Sequence, residues 1–75
     1  MAANAYVLIK LDPGETSAVV ERIRGIPGAL VREVLGPYDL IVELESDTQE
    51  DIGVIVRNKI RPVPGINETI TCACF

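Results

Sequence analysis

Ile23-Arg24-Gly25-Ile26-Pro27-Gly28 returns thirty-seven positions later as Ile60-Arg61-Pro62-Val63-Pro64-Gly65. Each copy reads as a helix end, a Pro-Gly turn and the start of a strand. Recurrence at equivalent points predicts a chain made of two similar halves. Ahead of the first copy, Val19, Val20 and Ile23 recur at helical spacing, within a helix expected over 14–24. Asp12-Pro13-Gly14-Glu15 opens it: Asp12 is the expected N-cap, Pro13 suits the first helical position, and Glu15 completes a capping box. Ahead of the second copy, Ile52, Ile55, Val56 and Ile60 share one helical face, with Asp47 as the expected cap and Glu50 three residues on. Gly53 inside this helix costs about 1 kcal/mol against Ala, which points to close packing there.

Four segments carry strand patterns. The first is the apolar run Ala5 to Leu11, AYVLIKL, and the second is Ala29 to Leu35. Gly36-Pro37 reads as a tight turn, with Pro37 at its first central position. The third strand runs from Tyr38 to Glu45, with Leu40, Val42 and Leu44 facing one way and Ile41, Glu43 and Glu45 the other. Ile66 to Phe75 is the fourth. Residues 1–4 are then a flexible N-terminus, and 5–75 form a single domain.

The order β-α-β-β-α-β predicts an α+β, ferredoxin-like fold: a four-stranded antiparallel sheet with two helices on one face. Two helices leave the other face open, yet that face is apolar. In the first strand Tyr6 and Leu8 oppose Val7, Ile9 and Leu11; in the last, Ile70, Cys72 and Cys74 alternate with Thr69, Thr71, Ala73 and Phe75. An apolar open face predicts a partner, most simply a second copy packed sheet to sheet.

Composition narrows the function. A chain of 75 residues holds one domain and has little core to stabilise it alone. Half of its 36 apolar residues are Val or Ile, which favours strands. With Lys+Arg 7 against Asp+Glu 11, and the basic residues dispersed, it lacks the basic stripe of a nucleic-acid binder. No apolar run reaches membrane-spanning length, and the first residues lack a basic signal-peptide region, so a cytoplasmic protein is expected. The absence of His removes the usual general base and the commonest metal ligand. Cys72-x-Cys74 places two thiols on one side of a strand, but no third ligand accompanies them, and they read as buried, apolar free cysteines. The acidic residues Glu43, Glu45, Asp47, Glu50 and Asp51 read as a solvated strand end and a helix N-terminus, balanced by Arg57, Lys59 and Arg61 towards the other helix end. No cofactor or metal is expected.

Four segments in order, from the AYVLIKL strand through Pro27-Gly28 and Gly36-Pro37-Tyr38-Asp39-Leu40 to Pro64-Gly65-Ile66-Asn67-Glu68-Thr69-Ile70-Thr71, resemble one family. The third resembles its G-x-Y-D hairpin, and the fourth its P-G-V-x-x-T-x-T strand. The family is the Lrp/AsnC transcription regulators, and the match is to their C-terminal effector-binding, or RAM, domain. With only Met1 to Asn4 ahead of the first strand, the chain resembles a stand-alone RAM domain without a DNA-binding domain. The resemblance implies a homodimer built sheet to sheet, further assembly into rings of dimers, and an amino acid or related metabolite bound between dimers. It also implies a full-length regulator of the same family as a further partner. Carried over residue by residue, the implied ligand site is Gly36, Tyr38, Asp39, Leu40, Thr69 and Thr71.

The chemistry suits a free amino acid. Asp39 would accept a charge-assisted hydrogen bond from the ammonium, while backbone N–H groups around Gly36 and Leu40 and the Thr hydroxyls would hold the carboxylate. Pro37 stands where the family more often has a polar residue, and removes one donor. The same residues also have plain readings: Gly36-Pro37 as a turn, Asp39 as a cap of its own hairpin or the partner of an Arg, and Thr69 and Thr71 as ordinary strand residues. Two other functions compete with an effector-binding module. One is a small dimeric enzyme of isomerase or monooxygenase type, in which Tyr6 on the open face would be the residue to inspect. The other is a purely structural oligomer. An amino-acid-binding ACT domain shares the strand order but fits the Gly36 and Pro64 segments less well.

Overall fold

A computed structural model describes residues 2–75. Strand β1 (Ala3–Leu11) is followed by helix α1 (Thr16–Arg24), strands β2 (Ala29–Glu33) and β3 (Leu40–Ser46), helix α2 (Gln49–Ile55) and strand β4 (Ile66–Ala73). The strands pair antiparallel in the order β2-β3-β1-β4. This is the expected ferredoxin-like arrangement. The apolar alternation sets the layers. Ala5, Val7 and Ile9 of β1 and Leu40, Val42 and Leu44 of β3 are wholly buried beneath the helices. Val19 and Ile23 of α1, Ile52 of α2, and then Val56, Ile60 and Val63 complete the core. No helix among the described residues is long and apolar enough to cross a membrane.

The repeated segment has the same architectural task in both halves. Ile23 and Ile60 are both fully buried, so each helix end is pinned to the core. Gly28 and Gly65 follow at φ +82° and +99°, the left-handed region that side chains disfavour. Each turn also passes close to another part of the chain. A Cβ on Gly28 would collide with the backbone carbonyl of Glu45, and one on Gly65 would lie 2.8 Å from Cβ of Glu15.

Several local boundaries differ from the sequence pattern. α1 does not start at Asp12. Its N-cap position is Glu15, with no side-chain cap, because the backbone N–H of Asp12 donates to Gly65 O (2.8 Å) and the Asp12 carboxylate accepts from Asn67 Nδ2 (3.1 Å). The cap of α2 is Thr48 rather than Asp47; Thr48 Oγ1 accepts from Asp51 N at 3.0 Å. After Ile55 the apolar stripe continues through a π-helical turn, Val56–Ile60. A Cβ on Gly53 would meet only the Arg57 guanidinium of its own helix, at 3.5 Å, so no close packing explains that glycine. Ala3 and Asn4 belong to β1, opposite Ser46 and Glu45, rather than to a loose N-terminus. β4 ends at Ala73.

The largest difference lies between β2 and β3. β2 ends at Glu33 and β3 starts at Leu40, so Gly36-Pro37 sits in a six-residue loop, 34–39, and not in a tight turn. The loop is closed by Val34 N donating to Asp39 O (3.0 Å). It is anchored to β1 by Asp39 N donating to Ile9 O (2.9 Å).

The uncovered face of the sheet carries Tyr6, Leu8, Ile41, Leu30 and Ile70 on four strands in register. Tyr6, Leu30 and Ile70 are exposed at 43, 50 and 41%. Cys72, opposite Tyr6, is exposed on this same face, and Cys74 is half-buried; neither is the buried apolar cysteine that the sequence suggests. The reason is that β4 is an edge strand whose outer face nothing in the protomer covers.

Candidate functional site

The 34–39 loop, the end of β1 and the start of β4 meet at one end of the sheet. Asp39 organises them. Its carboxylate Oδ2 accepts from Leu11 N at 2.8 Å, a part-buried contact that spans 28 residues of chain. Leu11 N–H is free for this because it points to the β3 side of β1, where the β1–β3 pairing has already ended at Ile9 and Leu40. The end of one strand pairing thus leaves a donor, and a carboxylate from the adjoining loop satisfies it. Tyr38 stands beside Asp39 and reaches across β1, its hydroxyl donating to Glu68 Oε2 of β4 at 3.3 Å. Partial burial first, then the negative charge of Glu68 and its hydrogen bond, raise the Tyr38 hydroxyl above its ordinary value of 10. Asp12 and Asn67 close the rim with their side-chain hydrogen bond.

The residues implied by the family motif fall into three groups. Tyr38 and Asp39 are half-buried at this rim, with Gly36 exposed in the same loop and open space around its Cα. Thr69 is close by in register, opposite Ile9, whose carbonyl accepts from Asp39 N. Leu40 and Thr71 lie apart from them. The Leu40 side chain is fully buried in the core, and Thr71 is paired with Val7, further along β1 and away from the loop. Thr69 and Thr71 also occupy the helix side of β4, whereas Glu68 lies on the open side with Ile70.

Leu11 N–H, Glu68, Asp12 and Asn67 are parts of the rim that sequence reasoning did not single out. Glu68 carried a usable signal, because strand alternation places it on the open face with Ile70 and Cys72. The Leu11 donor carried none, since it depends on where the β1–β3 pairing ends. The described residues of a single protomer form no cavity at this rim or elsewhere. They contain no cluster of three or more His, Cys, Asp and Glu able to hold a metal ion.

Comparison with known proteins gives the context. The model of the Lrp/AsnC ligand binding domain matches residues 4–75. The uncharacterized HTH-type transcriptional regulator PH1916 of Pyrococcus horikoshii is 37% identical across the whole chain, which covers 53% of that regulator. The chain therefore spans about half the length of the curated relatives it matches. Among solved structures, the hypothetical protein PHS023 of Pyrococcus horikoshii superposes with a TM-score of 0.90 at 33% identity, covering 100% of this chain and 90% of that one. A homocitrate synthase of Sulfurisphaera tokodaii is 39% identical over 91% of this chain, which covers 15% of the enzyme. With its four motif segments in order and the sheet they build, the chain belongs to the Lrp/AsnC ligand binding domain family.

Proposed function

We propose that this chain is a non-catalytic effector-binding and assembly module, which takes a free amino acid or closely related metabolite at the loop 34–39 rim. The carrying observation is the fixed Asp39 carboxylate. One oxygen is held by Leu11 N–H, which leaves the other to accept from a ligand ammonium in a charge-assisted hydrogen bond. The neighbouring Tyr38 hydroxyl supplies a further polar contact, whereas Thr69 lies on the helix side of β4, opposite the face that Glu68 shares with that hydroxyl. Because one protomer forms no cavity here, a neighbouring copy closes the site.

The open face supports a homodimer. Tyr6, Leu30 and Ile70 are large apolar side chains exposed together on one sheet, and a second copy of that face is the complement with the same shape and chemistry. Further assembly into a ring of dimers brings two rims together. The relatives named as transcriptional regulators make a full-length Lrp/AsnC regulator the natural further partner. The homocitrate synthase match, confined to 15% of that enzyme, fits the same module joined to a catalyst.

The test is a thermal melt of the protein against each of the twenty amino acids at millimolar concentration. A ligand at about 100 times its Kd adds about 2.7 kcal/mol. In a domain of this size that is a Tm rise of roughly 10–20 °C. No rise with any amino acid, and no heat in calorimetric titration, overturns the amino-acid reading. Sedimentation as a monomer at all concentrations overturns the dimer.

A further inference from the structure

We propose that the charges flanking the apolar centre of the open face fix how a second copy packs on it: the strands of the two sheets run in opposite directions, related by a two-fold axis that crosses them. The proposal rests on the dimer read above and adds its orientation. The register sorts this face into rows that cross the sheet. Tyr6 lies level with Cys72 and Glu43, and Glu43 with Leu30; Leu8 lies level with Ile70 and Ile41, and Ile41 with Arg32. These two rows hold the large apolar side chains. The row beyond Tyr6 holds Asn4 and Glu45, and the row beyond Leu8 holds Lys10 and Glu68. One end of the face therefore carries Glu43 and Glu45, and the other carries Arg32 and Lys10, all four exposed. Glu68 stands at the edge of the basic end, where it accepts from the Tyr38 hydroxyl.

Two identical faces can meet about an axis that runs along the strands or about one that crosses them. An axis along the strands brings acidic end to acidic end and basic end to basic end. An axis across the strands exchanges the ends. Placed midway between the two apolar rows, it lays the row of Tyr6 over the row that holds Leu8 of the partner subunit. β3 then lies over β3 and β1 over β1. Glu43 comes one strand away from Arg32 of the partner subunit, and Glu45 one strand away from Lys10 of the partner subunit, whereas Glu68 is on β4, two strands from Glu45. Strands are about 4.8 Å apart and packed sheets about 10 Å, a gap that Glu from one side and Arg or Lys from the other close between them. By symmetry each pairing forms twice. Like charges brought together cost more than matched ones gain, so the pattern selects an orientation more than it adds affinity.

Sedimentation equilibrium of the purified chain, of Arg32→Glu, of Glu43→Arg and of an equimolar mixture of the two variants tests this. Each variant alone sets two like-charge contacts in its dimer and is expected to weaken it about tenfold or more. In the mixture the charges match throughout: Glu43 of the first variant meets the native Arg32 of the second, and the introduced carboxylate meets the introduced guanidinium. That heterodimer is expected to associate within about threefold of wild type, the scale of exposed pairs. Each change also puts like charges on diagonal neighbours of one protomer, since Leu30 is opposite Glu43 and Arg32 opposite Ile41. The mixture keeps that fault in both chains, so its recovery reads the contact between copies alone. Circular dichroism establishes that each variant is folded, and Glu45→Lys with Lys10→Glu supplies a second pair if either is not. Single variants that dimerise as well as wild type or better, or a mixture no tighter than either variant alone, overturn the orientation but not the dimer. A wild type that stays monomeric overturns the dimer reading and the orientation with it.

Discussion

Asp39→Ala and Asp39→Asn together separate what this carboxylate does for the fold from what it does for a ligand. In the folded chain Oδ2 accepts from Leu11 N at 2.8 Å in a part-buried setting. Alanine strips the acceptor and leaves a backbone N–H without its partner, which costs about 2 kcal/mol. For a domain of this size that is a Tm drop of roughly 8–16 °C. Asparagine keeps a side-chain oxygen in the same place and loses only the charge assistance, about 1 kcal/mol or roughly 4–8 °C. Ligand binding follows a different order, because neither side chain neutralises an ammonium. Calorimetric titration with the amino acid that raises Tm most is expected to show binding lost in both variants. Melts are compared at one protomer concentration, since association adds to apparent stability. An Asp39→Ala variant that melts like wild type refutes the anchoring role. An Asp39→Asn variant that keeps full affinity refutes the ammonium contact.

Two further outcomes follow from the turns and from the rim tyrosine. Gly28→Ala and Gly65→Ala both force a side chain into left-handed backbone, which costs about 1–2 kcal/mol. Gly28→Ala is the more damaging, because its new Cβ meets the Glu45 backbone carbonyl beside the hydrogen bond from Glu45 N to Gly28 O, whereas the Gly65 neighbours are side-chain atoms, of exposed Glu15 and of buried Val19. Urea melts that place the two variants level, or in reverse order, contradict this. Tyr38, with its hydroxyl raised above 10 in the folded chain, adds stability that is complete below its unfolded value and is lost as pH rises through the folded one. Absorbance titration is expected to show a tyrosinate transition displaced upward, which Glu68→Gln brings down and Tyr38→Phe removes. A transition at the ordinary value speaks against the Glu68 contact.

Strand alternation and helical spacing carry the layers of this fold. Val7, Ile9, Val42, Leu44, Ile23 and Ile60 are buried where their periods place them, because a side chain's face follows from its position in a regular element. What the pattern does not contain is competition from distant chain. Asp12-Pro13-Gly14-Glu15 has the local chemistry of a helix cap, but Gly65 and Asn67 take the Asp12 groups and the helix begins at Thr16. Gly36-Pro37 has the chemistry of a tight turn, but the hold of Ile9 and Leu11 on Asp39 keeps β3 from starting before Leu40. The site follows the same division. Tyr38 and Asp39 are legible through a motif; alternation shows the face of Glu68 but not the reach of Tyr38 to it, and the Leu11 donor arises where the β1–β3 pairing ends, which has no local signature.

One contact at the opposite end of the sheet bears on how such a domain is reused. Cys74 N donates to Asn4 O at 2.9 Å, and Gln49 Nε2 reaches both Asn4 O and Cys74 O. The start of β1 and the end of β4 thus lie side by side, fastened by α2, and far from the 34–39 loop. A domain whose entry and exit coincide can be spliced into another chain at a single point without disturbing either. It also tolerates circular permutation: a short linker joining the region of Asn4 to that of Cys74, with new ends cut at the exposed Leu35, preserves every strand pairing of the sheet.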